Sequence, residues 1–413
     1  MATTGAELEA LDPGNFVEIT LGSAEMLADV HATLAQWATR RPFYVLDDGI
    51  PLVICGRYAD VSDVMLDDEL FPSGMPRKRG FEKFDKFLGV QTMAQLDGEV
   101  HMRLRRLINP AFSPKAMLRL EAGIEAAVDT MLDGIEARGP EFDGMADYAG
   151  LLLDGALLTV MLRLTPEQKS IFLEMHRLIP LTTHVKAGES VPQECIDAFD
   201  RARETILAVV ADRRAHPGEE FISDLIAARD NDDRLSDTEL FDVLFTVCVA
   251  ALSGTARAMG GVLYSLFRHP DQLAEVRADP RFAPMAIEEC LRFHRGGYFV
   301  FPRVAIRDTE IGGTRIYQGM VVRASQQAAN FDPAVYPDPL RFDIHRDPKR
   351  IMSFGVGPHQ CVGNRLARLA MRIALVRLLA RFPAVRLADP GFEAEYGGAI
   401  GELRIRQLPM TIR

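Results

Sequence analysis

The stretch "SFGVGPHQCVGNRLAR", residues 353–368, decides how the rest of the chain is read. Cys361 lies in it among Gly355, Gly357 and Gly363. It comes just before "NRLARLAMRIALVRLLARF" (364–382), whose apolar residues recur at helical spacing. Each feature has a physical use. Glycine reaches positive φ and lets backbone approach a flat ligand closely. A helix start presents unpaired N–H groups and the positive end of a dipole, and both favour a thiolate over a thiol. A thiolate presented this way suits a proximal iron ligand that pushes electron density onto the metal and favours O–O cleavage. One cysteine in a turn is more commonly structural. This one sits in F-G-x-G-x-H-x-C-x-G with every fixed position filled, by Phe354, Gly355, Gly357, His359, Cys361 and Gly363.

The whole chain sets bounds around that loop. Its 413 residues admit one large domain or two or three ordinary ones. With 48% hydrophobic and 25% charged residues, a sizeable core is expected and bulk disorder is not. The net charge of -11 argues against a general nucleic-acid binder. The five cysteines are scattered, odd in number and without a CxxC pair, so neither a disulfide scaffold nor a zinc site is expected. A reducing cytoplasm fits that usage. No signal-peptide pattern opens the chain. Asp154 and Arg257 interrupt the two most apolar runs, so no membrane association is expected.

No repeat, low-complexity segment or linker divides the chain, and one domain over 1–413 is expected: mainly α with a smaller β part. Residues 40–70 read as two short strands and a helix. Helical periodicity dominates from about 97 to 295. Residues 298–325, β-branched and aromatic with Gly turns, read as strands and hairpins. A Pro-rich meander, "FDPAVYPDPLRFD" (331–343), precedes the Cys loop, and short strands are expected from Val385. The longest helix begins at a capping box, Ser236 with Glu239, and runs to about Phe267. Its centre, "VAALSGTARAMGG" (249–261), carries Gly254, which costs about 1 kcal/mol against Ala. Such a glycine has a packing or functional reason.

With these segments in place, the chain resembles the cytochrome P450 family over nearly its whole length. The resemblance implies a haem b (iron protoporphyrin IX) held between the long distal helix and the Cys-loop helix, with Cys361 as the metal ligand. Glu289 and Arg292 match the family's E-x-x-R and are expected to pair with Arg341 of the meander in a structural ion network. His101 and Arg105 of "GEVHMRLRR", with Arg303 and His359, are implied as the cradle for the two haem propionates. Phe354, Gly355 and Gly363 complete the cofactor-binding set. Over the distal face the family usually shows Ala/Gly-Gly-x-Asp/Glu-Thr. Here Ser253 falls on the acid and Gly254 on the threonine, while Thr255 sits one residue late, about 100° round the helix. Ser253, Gly254 and Thr255 are therefore the candidate proton-delivery residues, with the usual pair altered.

The implied substrate pocket draws on Val247, Cys248, Ala251, Gly297, Tyr298, Phe299, Val300 and Ile400. It is expected to be largely apolar. A basic cluster, "MPRKRGFEK" (75–83), could face its entrance. The implied reaction is insertion of one oxygen atom from O₂ into a small apolar organic molecule. Electrons would come from NAD(P)H through a ferredoxin reductase and a two-iron ferredoxin, since no strand–GxGxxG–helix unit for a nucleotide lies in this chain. Arg365, Arg368 and Arg372, with Arg103 and Arg106, are the expected docking patch for that acidic partner, and the enzyme is expected to be a monomer. The alternatives are a peroxide-dependent or O₂-independent enzyme on the same scaffold, and then a haem sensor without turnover.

Overall fold

A computed structural model describes residues 11–47, 49–73, 93–152, 154–183, 191–229, 233–294, 302–347, 349–397 and 403–413. The fold is 57% helical and 11% strand. At its centre runs the long helix, Asp237–Phe267. The capping box forms: Ser236 Oγ accepts from Glu239 N at 3.3 Å and Glu239 Oε2 accepts from Ser236 N at 2.8 Å. The helix spans about 46 Å at 1.5 Å per residue. It continues unbroken through Gly254, so the glycine opens no gap in the ladder.

Two other glycines of that helix are packing glycines. A Cβ on Gly260 would collide with Met145, and one on Gly261 with the carbonyl of His294. Helices Gln193–Ala215, Ala283–Phe293 and Asn364–Arg381 surround the long helix. Phe199 of the first stacks edge-on against Phe245 at 4.9 Å.

The β part is small. Phe43–Asp47 and Ile50–Cys55 form an antiparallel hairpin, as expected, followed by helix Tyr58–Leu66. Val321–Ala324 lies parallel to the second strand, with Leu52 opposite Val321, and Arg303–Val304 forms the far edge. That edge strand fixes the buried side chain of Arg303. Short strands at 386–387, 396–397, 404–405 and 409–411 confirm the expectation for the tail.

The Cys-loop helix, Asn364–Arg381, packs along helix Pro114–Arg138. A ladder of ion pairs runs between them: Arg372 with Glu121, Arg377 with Asp129 and Glu125, and Arg381 with Asp133 and Glu136. Beside the ladder, the buried Tyr148 hydroxyl donates to Ala374 O at 2.7 Å. Among the described residues, Gly144–Met161 has the length and apolarity of a membrane span, and half of it is buried in the interior.

Candidate active site

The Cys loop is closed by its own backbone. Gly355 N donates to Met352 O at 2.8 Å, Gln360 N to Gly357 O at 3.0 Å, and Cys361 N to Phe354 O at 2.8 Å. Gly355 (φ +72°) and Gly357 (φ +77°) adopt left-handed backbone that a side chain would strain. A Cβ on Gly355 would also lie 3.0 Å from Gln326 and 3.1 Å from Met65. Phe354 is fixed by the Arg368 guanidinium 4.4 Å over its ring. Cys361 precedes the helix N-terminus and is exposed. Cys55, Cys195, Cys248 and Cys290 are buried. Burial raises all four of those thiols, Cys248 to about 12, and so keeps them protonated. Cys361 alone is placed to meet a ligand.

Four expected cradle residues converge at the loop, although they come from three parts of the chain. The buried ring of His101 stacks on His359, 4.1 Å between centroids and 11° from parallel. His101 Nδ1 is buried with no hydrogen-bond partner. Burial, then His359 and Arg105, push its pKa down to about 4. Arg105 donates to Gln360 O at 2.7 Å, and its charge acts on Cys361 and on His101. Arg303 reaches Ser73 Oγ and lies 3.8 Å from Asp97. Burial lowers the pKa of both guanidiniums, for Arg303 against the opposing pull of Asp97 and Asp68.

Sequence reasoning missed Asp97. Its carboxylate meets His359 Nε2 at 2.9 Å and accepts from Ser73 N at 2.7 Å. It occupies the N-cap position of helix Gly98–Ile108 but makes no cap bond there, because it turns into the cradle instead. An Asp directly before "GEVH" was the available signal.

This donor set fits haem. The buried Arg303, the half-buried Arg105 and an unpartnered imidazole nitrogen suit a pair of carboxylates, and an exposed thiol beside a flat, glycine-lined loop suits a metal. Haem would supply the redox chemistry. The chain's part is to present Cys361, pair the carboxylates and shape the distal space.

On the distal side, a Cβ added to Gly254 would meet nothing within 4 Å among the described residues. Among the described residues this glycine relieves no crowding, unlike Gly260 and Gly261. Val247, seven residues back, lies within about 20° of it on the helix. Cys248 corrects the expected pocket. It lines an apolar cavity of about 10 Å³ with Leu162, Leu164, Phe172, Ile206, Val209, Ile222 and Leu244. That is room for at most one water, not a substrate. Thr255 is seven residues on from Cys248, hence on the same face, and is buried. Its hydroxyl does not replace the one missing at Gly254. The side chains of Ala251 and Ser253 lie outside the described residues, as do Gly297, Tyr298, Phe299, Val300, Ile400 and the 75–83 cluster.

The E-x-x-R network forms with one correction. Arg292 is fully buried. It donates Nε and Nη2 to Glu289 at 2.7 Å each, and Nη1 to the carbonyls of Asn330 and Pro339 at 2.9 Å. Arg341 was expected to complete it, but its side chain is 71% exposed and faces Asp343. Arg346 approaches Glu289 instead, at 3.4 Å, and Arg341 contributes only its carbonyl. Five residues on in the meander, Arg346 is the arginine carried back under the helix. Asn330 passes the order onward. Its Oδ1 accepts from Met352 N at 2.7 Å and its Nδ2 donates to Ser353 Oγ at 3.0 Å, at the root of the Cys loop.

The expected docking patch is also corrected. Arg368 pairs with Glu288, Arg372 with Glu121, Arg103 with Asp233 and Glu239, and Arg106 with Glu99. Only Arg365 of the five is exposed with no ion pair among the described residues.

The comparisons agree with this geometry. The family profile "Cytochrome P450" matches residues 15–148 and 164–389. The chain is 36% identical over 301 residues to nocardicin C N-oxygenase of Nocardia uniformis subsp. tsuyamanensis, covering 72% of this chain and 74% of that one. It is 34% identical over 297 residues to steroid C26-monooxygenase of Mycobacterium tuberculosis, covering 71% and 78%. The crystal structure of the LnmA cytochrome P450 hydroxylase from Streptomyces atroolivaceus superposes with a TM-score of 0.82 at 30% identity, over 95% of this chain and 99% of that one. The chain belongs to the cytochrome P450 family. It is a monooxygenase of the bacterial type whose prosthetic group is haem, protoporphyrin IX with a thiolate ligand.

Proposed function

We propose that this enzyme inserts one oxygen atom from O₂ into a small, largely apolar molecule, with electrons passing from NAD(P)H through a ferredoxin reductase and a two-iron ferredoxin. The carrying observation is the exposed Cys361 on a closed glycine loop, flanked by Arg105, Arg303, His101 and His359. In this reading Cys361 binds the iron, the four others hold the propionates, and the protein works as a cytoplasmic monomer over its single domain. Relatives that act as an N-oxygenase and a steroid C26-monooxygenase support a small organic substrate.

The distal helix sets how well the reaction is coupled. Proton delivery needs a donor within about 2.6–3.2 Å or one water away. Gly254 offers open space and no hydroxyl, and Thr255 is buried on another face. Water beside Gly254 carries the protons, and part of the reducing power ends in hydrogen peroxide. The same opening favours a second reading, turnover driven by added peroxide. Gly254→Thr is expected to raise product formed per NAD(P)H consumed severalfold and to weaken peroxide-driven turnover. Near-complete coupling in the wild type, lost in the variant, would refute this account.

Arg365 remains as the basic contact for the ferredoxin. Reduction by a two-iron ferredoxin is expected to slow as salt rises, because exposed charges are screened beyond about 8 Å at physiological ionic strength. Arg365→Glu should slow it severalfold more at low salt. A rate indifferent to both removes the contact.

A further inference from the structure

The cradle holds more negative charge of its own than a site for carboxylates needs. Asp97 stands just before helix Gly98–Ile108, where an aspartate normally accepts a bond from the first free N–H groups, and it makes no such bond. Both its oxygens are used in the cradle instead. Oδ1 meets His359 Nε2 at 2.9 Å, and Oδ2 accepts from Ser73 N at 2.7 Å. Ser73 Oγ lies 3.0 Å from the same His359 nitrogen and accepts from Arg303 Nη1, which is itself 3.8 Å from Asp97. One carboxylate thus fixes an imidazole directly and a buried guanidinium through a serine.

Asp68 stands behind it. A carboxylate oxygen of Asp68, one of Asp97 and a ring nitrogen of His359 all lie within 4.8 Å of one another. Asp68 makes no hydrogen bond or ion pair among the described residues, so it acts there through its charge. It also lines an open groove with Asp63, Asp67 and Glu69, where no cation answers it.

Arg105 and Arg303 bring two positive charges to the cradle. Asp68 and Asp97 bring two negative ones, which reach His101, His359 and Arg303. Burial pushes His101 down to about 4, so it adds no charge at neutral pH. Two propionates would then add two negative charges that nothing in the cradle cancels. Negative charge close to iron favours iron(III) over iron(II), because reduction removes one positive charge from its partner.

We propose that Asp97, seconded by Asp68, is a positioning residue that sets the potential of the haem iron. It holds His359 and Arg303 in place and leaves the loaded cradle net negative, so that a single electron is accepted less readily. This rests on the reading of Arg303 and His359 as partners of the propionates.

Midpoint potentials of the holoenzyme are read by spectroscopic titration with dithionite, about two pH units above the ordinary imidazole value of about 6.5. At a fixed potential, Asp97→Asn is expected to shift the ferric-to-ferrous ratio toward ferrous by at least about threefold, or about 28 mV for one electron. Asp68→Asn should shift it in the same direction. Arg303→Gln, which removes a positive charge, should shift it in the opposite one. An Asp97 that is only a structural support would alter haem retention on gel filtration and leave the potential of the haem still bound unchanged. A shift under threefold, or toward ferric, in Asp97→Asn overturns the proposal, and no shift in Asp68→Asn removes Asp68 from it. If Asp97→Asn retains no haem, Asp68→Asn decides by the same threshold. Arg303→Gln separates the two readings. If it moves neither potential nor haem retention, the cradle reading itself fails. If it moves them while Asp97→Asn does not, the proposal for Asp97 alone fails.

Discussion

Cys361→His is expected to remove the red-shifted Soret band of the ferrous carbonyl complex and to leave the fold intact. The substitution is at an exposed position of a loop whose shape is set by backbone bonds and by Gly355 and Gly357, so its effect on packing is small. Its effect on the iron is total in this reading. The helix start and the neighbouring Arg105 both favour an anionic sulfur, and a neutral imidazole donates less charge to the metal. Retention of the thiolate band would sink the assignment. It would also leave the ligand hard to find, because the other four thiols are buried and held protonated.

The second large effect is structural. Arg292→Lys should cost about 3–5 kcal/mol, the range for breaking a buried pair, and should lower both the melting temperature and the haem retained after gel filtration. A lysine has three donors and cannot reach two Glu289 oxygens and three carbonyls at once. Haem retention falls because Asn330, released on one side, also positions Met352 and Ser353. Arg341→Ala is the control, and its melting temperature should match the wild type. Equal losses in the two variants would show that the meander, not the buried pair, sets the stability.

Those two arginines mark the boundary of what was legible beforehand. The Cys loop, the capping box and Glu289–Arg292 could be read because their parts sit within a few residues, where chain geometry alone brings them together. The choice between Arg341 and Arg346 depends on the path of an irregular meander that turns at Asp338 with φ +48°, and no periodicity encodes that. Asp97 meets His359 across 262 residues, and its type gives no hint of that partner. The arginines of the Cys-loop helix read as a free stripe when their helix is taken alone, because the acids that pair with them lie on other helices. The acids Glu121, Glu125, Asp129, Asp133 and Glu136 recur three or four residues apart on helix Pro114–Arg138, and that matching row was there to be read.

The two facing rows also act as a ruler. Pairs as exposed as these contribute only about 0.2–1 kcal/mol each, so the ladder adds little to stability. What it specifies is alignment. A slide of the Cys-loop helix by one turn, about 5.4 Å, would carry Arg381 past the last acid or leave Arg372 short of the first. Helix Pro114–Arg138, which contributes no residue to the candidate site, thus sets how far Cys361 projects into it.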